Sequence, residues 1–428
     1  MARPASYNSL ADLKGDARLK KAFESEVPAV VVFPVSHPVG LSVIRCLSGQ
    51  GIPVLAVDFR PDSAGLYSND VVPLLMPRLY DDVETFAQGL LAIGACFRTK
   101  PVLFLVDDED LFLSLKHADQ FGQYYQMPLS PWPVVQAIVD KGKLYRTCQA
   151  QNFPIPQTWF ISSEADLEKQ RAQVTFPCIV KPTFSTQFRK RFGVKAVRFD
   201  GFDQLKEFVA LLLKEGIEFV VQEFIAGPAD CLYTYAAYSD DGGNVVAEFT
   251  GRKLHQFPPD FGTCRLGESV DDPELERVGK RLLAMLRYRG ISLTEFKRDP
   301  QGNYFLIELN PRPGDWPEHL SWLCGANLVL AAYRETIGEK VPPHRITRFG
   351  VKWANLWEDF YYCVRGYRLH GYPEEHRGLW RWLRDLKGLG TDAFFAWHDP
   401  LPAWVRFKGM VRDFAARERA LRSGGSQA

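Results

Sequence analysis

The chain has 428 residues, more than one hydrophobic core accommodates, so two to four domains are expected. Its 46% hydrophobic and 24% charged residues are ordinary for a globular protein, and a formal net charge of +1 gives no global field that would draw it to nucleic acid or anionic lipid. No run of eighteen apolar residues occurs, so no transmembrane segment is expected; the first eight residues lack the apolar stretch of a secretion signal, which points to the cytoplasm.

Eight cysteines are scattered singly, none in a Cys-x-x-Cys pair. That usage fits a reducing compartment and core packing better than zinc or disulfides.

Residues 1–27 are polar, mixed in charge, and read as a lead-in with one short helix. Residues 29–33 form a Val-rich run, the pattern of a buried parallel strand. A helix over 41–47 stops at Gly49-Gln50-Gly51, and 53–58 is a second strand ending in Asp58. Strand, loop, helix and strand open a doubly wound nucleotide fold, but the loop is not Gly-x-Gly-x-x-Gly and does not support dinucleotide binding. Residues 101–106 are a further strand, ending in Asp107-Asp108-Glu109-Asp110. Ligands of such sheets sit beyond the carboxyl ends of the strands. His37 and Asp108 are therefore candidates for lining a crevice, although helix capping or a solvated loop explains either one alone.

A new unit begins at Asp140-Lys141. Its helix runs to about Asn152 and is broken by Phe153-Pro154-Ile155-Pro156. Residues 176–182 are a strand ending on Lys181 and Pro182. The polar, basic stretch 183–193 reads as a mobile loop. A strand over 194–199, a helix over 202–215, a strand over 219–225 and a turn at 227–230 follow. Strands over 231–239 and 245–254 are joined by Asp240-Asp241-Gly242-Gly243-Asn244. Asp272 caps a helix to Tyr288, with Pro at its first position. Two apolar segments, 293–297 and 306–312, flank a turn at 299–303. An apolar helix over about 318–336 comes next. From Lys340 the tail is rich in Trp, Tyr and Arg and reads as short helices packed on the core; the aromatic and basic stretch 397–412 fits a packed helix better than its alternative, contact with a membrane face.

The segments flanking that turn carry the strongest chemical signal. They place the carboxylates of Glu295 and Glu308 and the amide carbonyl of Asn310 together. These are hard oxygen ligands of the kind Mg²⁺ selects, with phosphate oxygens completing its shell. Arg312, two residues on, suits an anion held beside that metal. The pattern reads as a phosphoryl-transfer site.

Lys141, Lys181, Gln222-Glu223-Phe224-Ile225, Glu295 and Glu308-Leu309-Asn310-Pro311-Arg312 follow one another in an order that resembles the ATP-grasp superfamily, over roughly residues 28–340. The stretches 249–253, 295–299 and 399–402 are most similar to its bacterial carboxylate–amine ligase branch. The resemblance implies an α/β (α+β) ATP-grasp fold. Its parts would be a lead-in (1–27), a Rossmann-like preATP-grasp domain (28–138), an ATP-grasp domain (139–340) and a helical C-terminal extension (341–428). The ATP-grasp domain would divide into a lid at about 155–222 and a C-lobe at about 223–340.

The resemblance also implies roles. Lys141 and Lys181 would meet the α- and β-phosphates. Gln222, Glu223 and Ile225 would form the hinge against adenine. Asp230 would accept from a ribose hydroxyl, where many relatives have Glu or His. Glu295, Glu308 and Asn310 would hold Mg²⁺, with Mn²⁺ as a substitute. Arg312 would steady an acyl phosphate and the tetrahedral intermediate. Arg252 and Lys253 lie on a strand that relatives point at the γ-phosphate, with Arg252 favoured. Residues 183–193 lack the several glycines of many relatives' lids but would still close over phosphates. His255 reads as structural, and Asp315 and His319 as capping the following helix rather than contacting the amine.

The implied activity is ATP-dependent condensation of a small-molecule carboxylate with an amine through an acyl phosphate, with ADP and phosphate released. No nucleic-acid partner is implied, and a homodimer is the default assembly. The alternatives are an ATP-binding regulatory or assembly protein without turnover, and a kinase that stops at a phosphorylated product.

Overall fold

The structure is a computed structural model that describes residues 5–6, 17–76 and 83–422. Of the expected lead-in, 1–4 and 7–16 lie outside the described residues.

The first sheet is parallel. It contains β1 (Ala5–Ser6), β2 (Val30–Phe33), β3 (Val54–Asp58), β4 (Val72–Leu75) and β5 (Val102–Leu105), in the order β1-β4-β3-β2-β5. β2, β3 and β5 are buried along their length, which is why they read as unbroken apolar runs. β4 escapes the sequence pattern: it is four residues long and contains Pro73. The helix Pro38–Leu47 leaves the end of β2 and packs against the helix Trp316–Leu323, tying this sheet to the C-terminal half.

The second sheet is antiparallel. It contains β6 (Thr158–Trp159), β7 (Cys178–Pro182), β8 (Val197–Phe199) and β9 (Phe219–Glu223), in the order β6-β9-β7-β8. The stretch expected as a loop after β7 is instead the helix Ser185–Phe192, closed by Gly193 at φ 74°. Its anchor is Phe188, fully buried on the sheet, with Phe192 one turn later 4.8 Å away between ring centroids. The basic side chains around these rings hid their helical spacing.

The third sheet holds β10 (Leu232–Ser239), β11 (Val245–Phe257), β12 (Thr263–Ser269), β13 (Gly290–Arg298), β14 (Tyr304–Asn310), β15 (His344–Arg345), β16 (Lys352–Ala354) and β17 (Leu389–Asp392). Its order is β14-β13-β10-β11-β12-β16-β17, with β15 beside β11. One face packs on the helix Pro273–Leu286 through Tyr235, Leu282, Phe296 and Leu306. The other packs on the helices Trp316–Leu323 and Leu328–Thr336 through Phe249, Leu293 and Trp316.

Two expectations are corrected here. The apolar helix over 318–336 is two helices, because Gly325 at φ 103° ends the first and the Asn327 side chain caps the second by accepting from Leu330 N–H. The tail is not a purely helical appendage: β16 pairs β12 and β17 pairs β16, so residues beyond 341 extend the third sheet. Around those strands lie the helices Leu356–Tyr361, Gly378–Asp385 and Leu401–Arg422, the first continuing as a π-helical turn Tyr362–Gly366.

Candidate active site

Strand alternation would send Leu306 and Glu308 to the same face of β14. They go to opposite faces. Phe296 pairs with Leu306 but Glu295 pairs with Glu308, so Ile307 is an extra residue, a β-bulge. The bulge leaves Leu306 in the apolar core and brings Glu308 out directly opposite Glu295. Asn310, two residues on, is paired with Leu293 on that same face. The bulged Ile307 carbonyl accepts from the Tyr145 hydroxyl at 2.6 Å, which pins the kink to the helix Lys141–Ala150.

Lysines converge on these acids from four elements. Lys141 opens its helix after the Asp140 cap, and its Nζ lies 3.0 Å from Glu308 Oε1. Lys253 comes from β11 and its Nζ lies 2.7 Å from Glu295 Oε1. Lys181, buried near the end of β7, donates to Gln222 Oε1 at 2.9 Å. Gln222 in turn donates to Thr158 Oγ1 at 2.9 Å. Lys195, in the segment leading to β8, remains open to solvent while its charge acts on Glu308 and Glu295. It was not singled out in the sequence; the signal was a lysine just beyond the lid stretch, leading into the strand next to the one carrying Lys181.

The electrostatics follow from this crowding. Burial would raise the Glu308 carboxyl, but Lys141, Lys195 and Lys181 outweigh it and hold it down to about 2. Burial lowers Lys181 to about 8; Glu308 opposes that shift and Lys141 adds to it. Burial also works against charge on Lys253, yet Glu295 beside it raises its pKa overall. Glu308 is thus held ionised, and four lysines converge on two acidic side chains. The positive surplus is complementary to a polyphosphate.

Arg312 is half-buried and forked onto Asp108, with Nε 2.5 Å from Oδ1 and Nη2 3.2 Å from Oδ2. Asp108 opens the helix after β5, so the carboxyl end of the first sheet meets the acid hairpin through this pair. His37 faces the same boundary, with Asp107 and Asp315 among its charged neighbours. Asp315 caps its helix by accepting from Trp316 N–H at 2.8 Å. His319 does not cap: it is buried, stacks on Trp322 and is kept neutral by burial, which lowers it to about 3.

Arg252 is not brought into this group. It lies in register with Tyr233 and Glu268, on the opposite face of β11 from Lys253, and its Nε pairs with Glu268 Oε1 at 2.6 Å. Alternation admits one of two successive residues, and Lys253 is the one admitted. At the hinge, the Gln222 side chain is buried and spent on Lys181 and Thr158, leaving only backbone to face a base. Glu223 accepts from Gln157 N–H at 3.2 Å, and Ile225 is half-buried just beyond β9. Asp230 is exposed in the turn Ala229–Cys231. His255 is remote from the acids in its bonding. It pairs with Asp359 at 2.9 Å and Asp385 at 3.4 Å, a structural tie to the tail.

The donor set of Glu295, Glu308 and Asn310 is oxygen-only and fits Mg²⁺. Among the described residues, the three-residue group with mixed His, Cys and acid ligands is His255, Asp359 and Cys363, part of the structural tie.

No family model matches the chain. It is 22% identical over 334 residues to the D-aspartate ligase of Enterococcus faecium (strain Aus0004), covering 74% of this chain and 78% of that protein. Among solved structures it is similar to a biotin carboxylase–β,γ-ATP complex from Campylobacter jejuni, with TM-score 0.60 and 15% identity over 74% of this chain and 72% of that one. It is also similar to an ADP complex of N5-carboxyaminoimidazole ribonucleotide synthetase, with TM-score 0.61 and 13% identity over 84% and 96% of the two chains.

Proposed function

Taking the chain as the ATP-grasp superfamily member that its fold and relatives make it, we propose that it is an ATP-dependent carboxylate–amine ligase. The observation that carries this reading is the facing pair Glu295 and Glu308, each held by a lysine, on one side of a bulged hairpin.

In this reading Lys141 and Lys181 bind the α- and β-phosphates, and Lys253 and Lys195 reach the γ-phosphate. The backbone at Glu223 and Ile225 meets the adenine edge, and Asp230 accepts from the ribose. Glu295, Glu308 and Asn310 hold Mg²⁺, which neutralises phosphate charge when bound. A carboxylate oxygen of the first substrate attacks the γ-phosphorus and the bond to the β,γ-bridging oxygen breaks, releasing ADP. The amine nitrogen then attacks the acyl carbon, sheds its proton, and the carbon–oxygen bond to phosphate breaks. Arg312, oriented by Asp108, stabilises the oxygen on which negative charge develops. No side-chain nucleophile is required, because activation to the mixed anhydride supplies the leaving group.

The test is ADP release from MgATP with pooled carboxylates and amines, with Glu308→Gln as control. ADP formation that needs both a carboxylate and an amine supports the ligase. ADP formation with carboxylate alone would replace it by a kinase. Tight MgATP binding without turnover in any pool would favour a binding protein.

A further inference from the structure

The formal charge of +1 is not spread evenly. Residues 341–428 carry 15 Lys and Arg against 9 Asp and Glu, in a chain with 52 against 51 overall. The tail is therefore a basic module on an acidic body.

That module also displays apolar surface. On the helix Gly378–Asp385 no residue is buried; Leu379, Trp380 and Leu383 point outward, and Trp380 is 82% exposed. On the helix Leu356–Tyr361, Trp357 and Phe360 share an exposed face one turn apart. On Leu401–Arg422, Trp404, Lys408 and Val411 recur at i, i+4 and i+7 and are exposed. Ring contacts link the three: Phe360 to Trp382 at 5.1 Å, Trp357 to Phe407 at 4.8 Å, and Phe407 to Trp404 at 6.1 Å. The band is continuous across three helices, and Trp397 stands beside it in sequence, 91% exposed.

The apolar side chains are not a core left unfilled. The inner sides of two of these helices are fastened by a buried polar knot, with Asp359 accepting from His255 and from Trp382 Nε1 (2.9 Å) and Asp385 bonded to His255 and Arg377. The outer face is thereby turned to solvent. Its cations are also free of acids: Arg381, Arg384, Lys387 and Lys408 have no carboxylate partner among the described residues, and Lys408 lies over the Trp404 ring at 5.0 Å.

We propose that this face docks on an anionic lipid bilayer. Trp and Leu side chains would sit at the headgroup boundary while Arg381, Arg384, Lys387 and Lys408 meet lipid phosphates. A protein partner of ordinary composition would bury some of these cations against acids, whereas a phosphate surface satisfies all of them at once. No helix among the described residues is long and apolar enough to cross a membrane, so the contact is peripheral.

The experiment is co-sedimentation of the full chain with phosphatidylglycerol or phosphatidylcholine vesicles at two salt concentrations. Three proteins are compared: wild type, Leu379→Ser/Trp380→Ser/Leu383→Ser, and Arg381→Glu/Arg384→Glu. The expected result is at least about tenfold tighter binding to phosphatidylglycerol, weakened by salt and lost in both variants. MgATP affinity and melting temperature should be unchanged, since these side chains are exposed and outside the candidate active site. Equal binding to both lipids, no binding to phosphatidylglycerol, or binding retained by both variants would overturn the proposal. So would a wild-type dimer that dissociates in the Ser variant while vesicles capture neither protein.

Discussion

Lys141 Nζ lies 3.0 Å from Glu308 Oε1, so the ammonium assigned to phosphate and the carboxylate assigned to metal neutralise one another across the site. Under the proposed roles, binding MgATP would require each to exchange its partner. Glu308→Gln should reduce turnover by at least about 10³-fold by removing a metal ligand, while metal-free nucleotide binding is retained because Lys141 is released to phosphate. Lys141→Met should instead raise the KM for ATP about 10- to 100-fold. Steady-state kinetics and nucleotide titration without metal separate the two.

Burial lowers the Lys181 pKa to about 8, which puts its charge within experimental reach. Phosphate binding needs the protonated form. Affinity for MgATP should be flat below pH 7 and fall by up to about tenfold per unit above pH 8, with proton uptake on binding in that range. Isothermal titration in buffers of different ionisation enthalpy measures both. Constant affinity to pH 9.5 would remove Lys181 from the phosphate site.

Arg312 is oriented by both oxygens of Asp108. Asp108→Asn keeps the size but loses the charge, and should lower kcat about 10- to 100-fold. Arg312→Lys should cost more, because a point charge cannot reproduce the fork. Single-turnover formation of ADP is the readout, and the melting temperature should move little for Asp108→Asn.

The tie between β11 and the tail makes a stability prediction. Burial opposes charge on His255, but Asp359 and Asp385 raise its pKa above the ordinary value. A raised histidine stabilises fully below its unfolded pKa, about 6.5, and that contribution is lost as pH rises through the folded value. Denaturant unfolding should therefore show stability declining from near neutral pH upward. His255→Ala, which leaves Asp359 buried without its cation, should cost about 3 kcal/mol and flatten that decline.

The oxygen ligands Glu295, Glu308 and Asn310 were legible from residue type, whereas Lys141, Lys181 and Lys253 entered only through the order that resembles the ATP-grasp superfamily; the structure brings all six side chains together. Arg252 and Lys253 are adjacent, and only cross-strand register shows that Lys253 faces the acids. Lys195 was hidden because only tertiary packing brings it to the acids, and the helix Ser185–Phe192 because its basic side chains masked the one-turn spacing of Phe188 and Phe192.

The buried strands of the first sheet, the capped helix Pro273–Leu286 and the ligand chemistry of the hairpin were determined by the sequence itself, since period, capping and donor type are local properties. Only the tertiary structure decided that Ile307 bulges, that Glu308 thereby leaves the core for the face of Glu295, and that β16 and β17 complete the sheet. A bulge and a strand's partner are chosen by non-local pairing. One extra residue reverses the face of every side chain beyond it, and nothing in a single strand's own alternation records where that occurs.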